Sequence, residues 1–252
     1  MTDDQEPIAR CLPVLSRALG RPLSELNGYW DELQGDGDFL AAINGAVAGV
    51  PEFEGRSFRH PSEFRAYRCL LYLLTRALRP ERFVETGVHN GLGSAFVLLA
   101  MRHNDRGTLH SIDLPSVEPV ILQQGNRRMP AGRPPGWLIP PHLLGRHRLY
   151  IGPAQQELPK LLEELGSIDL FLHDSDHSYE HMTFEMRAAW PRLNPGGWLV
   201  CDNIEANRAW ADFESETGSA GFTVASFDTP ARQWKHGLMA KGPAGERVDA
   251  IT

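Results

Sequence analysis

From residue 79 onward, the pattern of apolar and polar positions predicts strands that alternate with helices. Such alternation is typical of a mostly parallel sheet with helices on both faces, here with seven strands. The last two predicted strands follow one another closely and are expected to pair with each other. The predicted strands are Arg82–Val88, Thr108–Ile112, Leu149–Ile151, Ile168–Leu172, Trp198–Cys201, Phe222–Phe227 and Gly237–Lys241, and the helices between them are Gly91–Arg102, Gln156–Leu165 and Tyr179–Leu193.

Residues 1–78 are predicted to form a helical cap segment in front of the main domain, which spans residues 79–252. Short helical patterns cover Leu23–Leu33 and Phe39–Val50, and a better amphipathic helix covers Glu63–Leu78. At this length, the two parts are expected to form one compact unit rather than two independent domains.

One segment, residues 116–146, breaks the alternation between strands and helices. It is too long for a simple connection, and six of the chain's prolines lie in it. We expect it to act as a lid over a ligand cleft, with plain disorder as the alternative.

Charge and composition exclude several classes of partner. The net charge is −7, which disfavours non-specific electrostatic binding to nucleic acid phosphates. No apolar run approaches membrane-spanning length, and the first residues lack the features of a signal peptide, so we expect a soluble cytoplasmic protein without a membrane partner. The three cysteines, Cys11, Cys69 and Cys201, have neither disulfide-framework nor metal-site spacing. Homo-oligomerisation remains open.

The first predicted strand ends in a glycine-containing loop that leads directly into a helix. Its glycines are Gly87, Gly91 and Gly93, which is not the G-x-G-x-x-G spacing of a dinucleotide site, so NAD and FAD are disfavoured. Glycines let a ligand approach the backbone, and the helix N-terminus offers free N–H groups. Asp113, at the tip of the second strand, is well placed to bind ribose hydroxyls.

Polar side chains also follow two later strands. Asp174 follows the fourth strand, and Asp202 and Asn203 follow the fifth. If these strands are neighbours, the two carboxylates and the amide converge on an oxygen-rich site suited to Mg²⁺ or another divalent cation. Alternatively, Asp174 only caps the next helix and Asp202 only starts a turn. A zinc site made of His173, His177 and His181 is disfavoured, and His181 is interpreted as a helix-surface residue and Tyr179 as a core residue.

The glycine loop resembles the first motif of class I S-adenosylmethionine-dependent methyltransferases, although His89 stands where many members have another glycine. The resemblance implies a Rossmann-like domain that binds S-adenosylmethionine. It implies that Glu85 stabilises the loop or the amino end of the methionine, that Gly87 lets the backbone approach, and that Asp113 holds the ribose. Gln155 would contact the adenine. The full set of cofactor-binding residues that this resemblance implies is Glu85, Gly87, Asn90, Gly91, Ser94, Asp113, Gln155 and Asp174.

The second group of residues resembles the metal-dependent O-methyltransferases, over roughly residues 80–205. Asp-x-Asp-His-Ser-Tyr-Glu, at residues 174–180, is typical of the bacterial branch that methylates natural products and their sugars, such as the macrocin and mycinamicin methyltransferases. The catechol-type enzymes have a lysine where this chain has His177. The resemblance implies that Asp174, Asp202 and Asn203 hold the metal and that His177 removes the proton from the acceptor.

The expected function is therefore methyl transfer from S-adenosylmethionine to a hydroxyl of a small sugar, polyol or phenol. A metal-free N- or O-methyltransferase that uses His177 alone is one alternative. A non-catalytic S-adenosylmethionine-binding subunit is another, although such a protein needs neither a base nor a metal site.

Overall fold

The structure, a computed structural model, describes residues 7–114, 132–229 and 232–242. A seven-stranded sheet forms its centre, in the order β3-β2-β1-β4-β5-β7-β6. The first five strands of that order are parallel, and β7 is antiparallel to both of its neighbours. The predicted mostly parallel, seven-stranded sheet is confirmed. Its strands are β1 (Arg82–Thr86), β2 (Thr108–Asp113), β3 (His147–Ile151), β4 (Ile168–His173), β5 (Leu193–Cys201), β6 (Phe222–Thr229) and β7 (Arg232–Ala240).

Among the residues that the structure describes, four α-helices precede the sheet in the chain, and four follow strands within it. Two predicted helices extend into 3-10 turns. A 3-10 turn at Pro61–Glu63 precedes α4, and a second one at Trp190–Arg192 follows α7, where Pro191 cannot continue the α-helical hydrogen bonding. The helices are α1 (Leu12–Leu19), α2 (Leu23–Gly35), α3 (Gly37–Val47), α4 (Ala66–Leu78), α5 (Leu92–Asn104), α6 (Ala154–Leu165), α7 (Tyr179–Ala189) and α8 (Ala209–Thr217).

The sheet is covered on both faces, because its central strands alternate their apolar side chains between two cores. Phe83 packs with α1 to α5 on one face, whereas the next residue, Val84, packs with α6, α7 and α8 on the other. Leu170 and Phe171 of β4 divide in the same way. Strands buried on both faces read as nearly continuous apolar runs, which explains the strong strand signal in the sequence.

The pairing register aligns the carboxyl ends of three central strands. Thr86 pairs with His173, and His173 pairs with Cys201. The residues that follow therefore leave the sheet side by side, and the Asp174 amide donates to the Thr86 carbonyl at 3.0 Å. The loop after β1 and the acidic residues after β4 and β5 consequently meet at one edge of the sheet.

The predicted lid is described only in its second half, since residues 115–131 lie outside the described part of the chain. Residues 132–146 pack onto the loop after β1. The Gly136 amide donates to the His89 carbonyl, and the Leu138 amide donates to the Asn90 carbonyl, both at 2.9 Å. Leu138 is fully buried. The lid role itself stays a prediction.

Candidate functional site

Two glycines of the loop after β1 have a backbone conformation and a packing that exclude a side chain. Gly87 has φ +87°, and a β-carbon there would lie 2.0 Å from the main-chain oxygen of Asp174. Gly91 has φ +82°, and its β-carbon would lie 2.5 Å from the α-carbon of Gly136. Because L side chains disfavour this φ region and no space remains, both positions require glycine.

Glu85 is a buried carboxylate at the end of β1. One of its oxygens accepts hydrogen bonds from Ser94 at 2.5 Å and Ser111 at 2.6 Å. Burial raises the pKa of Glu85 to about 7, and the charge of Asp113 adds to this, while the two serine hydroxyls oppose it. Glu85 thus ties β1 to α5 and β2, and Ser94 points toward Glu85.

Asp113 holds the loop from the end of β2. Its Oδ2 accepts hydrogen bonds from the Val88 and His89 amides, both at 2.7 Å. The Asn90 side chain accepts a bond from the Leu92 amide at 3.0 Å, which satisfies a free N–H at the start of α5. Asp113 and Asn90 therefore fix the loop conformation, whatever ligand role they also have.

Gln155 lies exposed in the first turn of α6. Its side-chain nitrogen is 2.8 Å from Nδ1 of His181 on α7. His181 is half-buried, and its Nε2 is 2.7 Å from the Glu185 carboxylate. The interpretation of His181 as a helix-surface residue is therefore wrong, because this side of α7 faces the end of the sheet.

Asp174, His177 and Asp202 form a cluster at the carboxyl ends of β4 and β5. Each offers one ligand atom, and these atoms all lie within 4.8 Å of one another. Among the described residues, no other group of histidine, cysteine and acidic side chains is gathered closely enough to share a cation. The disfavoured three-histidine site does not form there, since His173 and His181 both bind Glu185.

The two carboxyl groups of the cluster share a hydrogen bond and titrate together. Burial and then the charge of Asp202 raise the pKa of Asp174 well above its usual range. Burial alone would raise the pKa of Asp202 as well, but the hydrogen bond and charge of His236, the charge of His177 and the hydrogen bond with Asp174 together lower that pKa. Two carboxyls this close hold either a proton or a cation between them. A divalent cation therefore fits this pair.

Asn203 adds an amide to the cluster from a left-handed backbone conformation, φ 53°. One terminal atom of its amide lies 3.1 Å from Oδ1 and 2.5 Å from Oδ2 of Asp202. With nitrogen at that position, Asn203 donates to both carboxylate oxygens. With oxygen there, three oxygens converge, which is an arrangement that a hard cation such as Mg²⁺ stabilises.

His177 faces Asp202 with an available ring nitrogen. Its Nε2 is buried, has no hydrogen-bond partner among the described residues, and lies 4.0 Å from Oδ2 of Asp202. Burial lowers the pKa of His177 to about 4, and His173 adds to this effect. The imidazole is therefore neutral near pH 7, so Nε2 can accept a proton or bind a metal.

Two residues of the site escaped the sequence analysis, because they come from distant elements. The ring of Tyr67, on α4, stacks on His236 of β7 with the ring centroids 4.3 Å apart. Nδ1 of His236 lies 2.5 Å from Oδ1 of Asp202. Neither residue belongs to a local motif, so only the tertiary structure identifies them.

Glu185 is a third missed residue and lies just beneath the cluster. This fully buried carboxylate contacts Thr86 at 2.6 Å, Ser175 at 2.9 Å and His173 at 2.5 Å, and it also contacts His181. Burial would raise the pKa of Glu185, but the hydrogen bonds from the two histidines, then the His173 charge and Thr86, lower it to about 2. Glu185 connects the ends of β1 and β4 to α7.

The other acidic and aromatic neighbours have structural partners. The Asp176 carboxylate accepts a bond from the Ser178 amide at 2.7 Å. Tyr179 is 39% exposed and donates to Asp212, so its assignment to the core is wrong. Tyr179 lies at the first position of α7, beyond the part of the helix that packs on the sheet.

Comparison with known proteins defines the fold. Residues 84–204 match the family model described as "Methyltransferase domain". No curated protein matches the sequence significantly.

Within the described residues, no helix is long and apolar enough to cross a membrane.

Solved structures are similar over most of the chain. Cofactor-bound Rv0187 from MTB shares 19% identity at a TM-score of 0.56, covering 82% of this chain and 90% of that one. The O-methyltransferase TomG from Streptomyces achromogenes, involved in tomaymycin synthesis and in complex with SAM, shares 15% identity at 0.57, covering 87% and 96%. The Bacillus cereus O-methyltransferase in complex with SAH shares 12% identity at 0.57, covering 86% and 97%. The fold is thus a Rossmann-like methyltransferase fold, as expected.

Proposed function

We propose that this protein transfers a methyl group from S-adenosylmethionine to a hydroxyl of a small molecule. One observation carries this proposal: the register of β1, β4 and β5 sets the glycine loop beside the Asp174–His177–Asp202 cluster. A loop that admits a nucleoside and a site for an activated hydroxyl are thereby adjacent. The similarity to structures named as O-methyltransferases supports the same chemistry.

The donor would lie along the carboxyl ends of β1, β2 and β3. We propose that Gly87 and Gly91 admit it to the backbone, and that the second oxygen of Asp113 binds the ribose. Gln155, at the start of α6, would reach the adenine. Glu85, Asn90 and Ser94 would support these contacts, because their own hydrogen bonds hold the loop and the start of α5 in place.

The acceptor hydroxyl would be prepared by the cluster. Asp174, Asp202 and Asn203 would hold a divalent cation, which supplies a lowered pKa for a hydroxyl bound to it. His177 then accepts the proton at Nε2, since its neutral imidazole has that position available. The sequence around Asp174 favours a sugar, polyol or phenolic natural product as the acceptor.

Binding and turnover test the proposal together. Calorimetry should show S-adenosylhomocysteine binding, and methyl transfer should appear on a panel of sugars, polyols and phenols with Mg²⁺ present. Asp174→Asn and Asp202→Asn should weaken Mn²⁺ binding, measured by electron paramagnetic resonance, at least tenfold. Asp176→Asn, two residues away and exposed, serves as the matched control.

The outcomes separate the parts of the proposal. Full activity in EDTA contradicts the metal role and favours the metal-free reaction that uses His177 alone. S-adenosylhomocysteine binding without transfer to any acceptor class favours a non-catalytic subunit. Failure to bind S-adenosylhomocysteine contradicts the donor itself.

A further inference from the structure

The hydroxyl of Tyr67 is a buried polar group close to the candidate site. Tyr67 lies in the first turn of α4, and its side chain is 7% exposed. Its hydroxyl has no hydrogen-bond partner among the described residues. An unpaired buried hydroxyl is destabilising, and a ligand that supplies the missing hydrogen bond would recover that loss.

The position of that hydroxyl is fixed by packing. The Tyr67 ring stacks on His236 with an interplanar angle of 15°, and His236 in turn contacts the Asp202 carboxylate. His236 is 2% exposed, so the protein packs around its ring. Tyr67 is therefore attached to the side of the candidate cation site.

Three acidic side chains act on the hydroxyl. Burial raises the pKa of Tyr67 well above its usual range, and the charges of Asp174, Asp202 and Glu85 raise it further. Two of these carboxylates belong to the cation site, whereas Glu85 belongs to the glycine loop. The register of β1, β4 and β5 brings both to one edge of the sheet, and Tyr67 reaches that edge through His236 and Asp202, so a cationic ligand group is favoured near its hydroxyl.

Building on the proposed function, we propose that Tyr67 binds the amino-acid end of S-adenosylmethionine, with its phenol oxygen accepting a hydrogen bond from the α-ammonium group. The ammonium carries a positive charge, which an acidic environment favours, and N–H groups that can donate to the Tyr67 oxygen. The sulfonium centre is also positive, but it has no hydrogen to donate.

A truncated ligand tests this assignment directly. Calorimetry would compare S-adenosylhomocysteine with 5′-methylthioadenosine, which has the same nucleoside but no amino-acid end, on the wild type and on Tyr67→Phe. The phenylalanine keeps the stacking on His236. We expect Tyr67→Phe to weaken S-adenosylhomocysteine binding about tenfold and to leave methylthioadenosine binding unchanged. Tyr29→Phe, whose hydroxyl binds Glu25 in the N-terminal helices, should change neither.

Each other outcome is decisive. Equal weakening of both ligands would show a general effect on the pocket and overturn the assignment. Unchanged binding of both ligands to Tyr67→Phe would also overturn the assignment. A raised KM for the acceptor in that variant would then indicate that Tyr67 contacts the acceptor instead. A wild-type protein that binds neither ligand would contradict the proposed function rather than the role of Tyr67.

Discussion

The α-carbon of Gly87 lies against the main-chain carbonyl of Asp174, so closely that a β-carbon would come within 2.0 Å of the oxygen. This contact joins the proposed donor loop to the proposed cation site through backbone atoms alone. No rotation of a side chain can relieve it, because both partners are main chain. The two halves of the site are therefore held in one fixed relation.

Gly87→Ala should consequently damage both folding and binding. We expect the free energy of unfolding to fall by more than about 2 kcal/mol, since the change adds a backbone clash to an unfavourable φ. Urea unfolding followed by circular dichroism measures this loss. S-adenosylhomocysteine binding should fall at least tenfold in the protein that remains folded.

Gly49→Ala is the matched control for that variant. Gly49 has φ +73°, but a β-carbon there meets no atom within 4 Å. It should cost only the conformational strain of roughly 1 kcal/mol and leave ligand binding intact. Equal losses in the two variants would contradict the importance of the Asp174 contact.

Glu85 should make stability depend on pH. Its pKa is raised to about 7 by burial in the folded protein, whereas an unfolded chain has the ordinary value near 4.5. The folded state therefore binds this proton more tightly, and the resulting stability is lost as pH rises from about 4.5 through 7. Glu85→Gln should remove a decline of roughly 3 kcal/mol across that window.

Chemical unfolding at pH 5 and pH 8 measures this effect in both proteins. The variant should be the more stable one at pH 8, even though it loses a proposed contact with the donor. An identical pH dependence in wild type and Glu85→Gln would show that Glu85 is not the titrating group.

Glu185 should support both the proposed donor site and the proposed cation site, since it binds Thr86 beside the glycine loop and Ser175 beside Asp174. Thr86→Val should weaken S-adenosylhomocysteine binding about three- to tenfold and affect Mn²⁺ less, because it frees the end of β1. Ser175→Ala should show the reverse preference. Calorimetry with each ligand alone measures both.

Ser215→Ala is the control for these hydroxyl deletions, since Ser215 is exposed and bonds within α8. It should change neither affinity. If Thr86→Val and Ser175→Ala weakened both ligands by the same factor, the Glu185 contacts would support the fold as a whole and not the two sites separately.

Trp137 should report on the donor loop. It stands between Gly136 and Leu138, whose amides bond to that loop, and it packs edge-on against Phe53 at 6.0 Å. We expect S-adenosylhomocysteine to change the tryptophan fluorescence and Trp137→Phe to abolish most of the change. Trp190→Phe, which removes a ring packed on Phe213, should preserve it. Persistence of the signal in Trp137→Phe would contradict the coupling.

Local sequence information was sufficient for the strands and for part of the site. Buried parallel strands produce strong apolar runs, and ligands gather at their carboxyl ends, so the sequence predicts that Asp174, Asp202 and Asn203 converge if their strands are neighbours. The glycines of the loop after β1 were also informative. Gly87 and Gly91 have backbone conformations that other residues disfavour, which is why glycine at these positions marks the loop in the sequence.

The site residues that the sequence did not predict come from elements far apart in the chain. Tyr67 and His236 reach the site only because α4 packs across the sheet and β7 inserts beside β5. Glu185 looks like an ordinary charge on a helix until the buried donors around it are known. Such contacts depend on the tertiary arrangement of elements far apart in the chain, which periodicity and propensity do not encode.

The position of β7 in the sheet has a practical consequence for dissecting this protein. The segment that matches the family, residues 84–204, ends before β7, which hydrogen-bonds along Trp198–Cys201 of β5. A fragment cut to the matched segment would expose that apolar strand as a bare edge, and it would also lose His236 beside Asp202. It should aggregate through the uncovered edge instead of yielding a minimal enzyme. Expression trials should therefore keep the final hairpin.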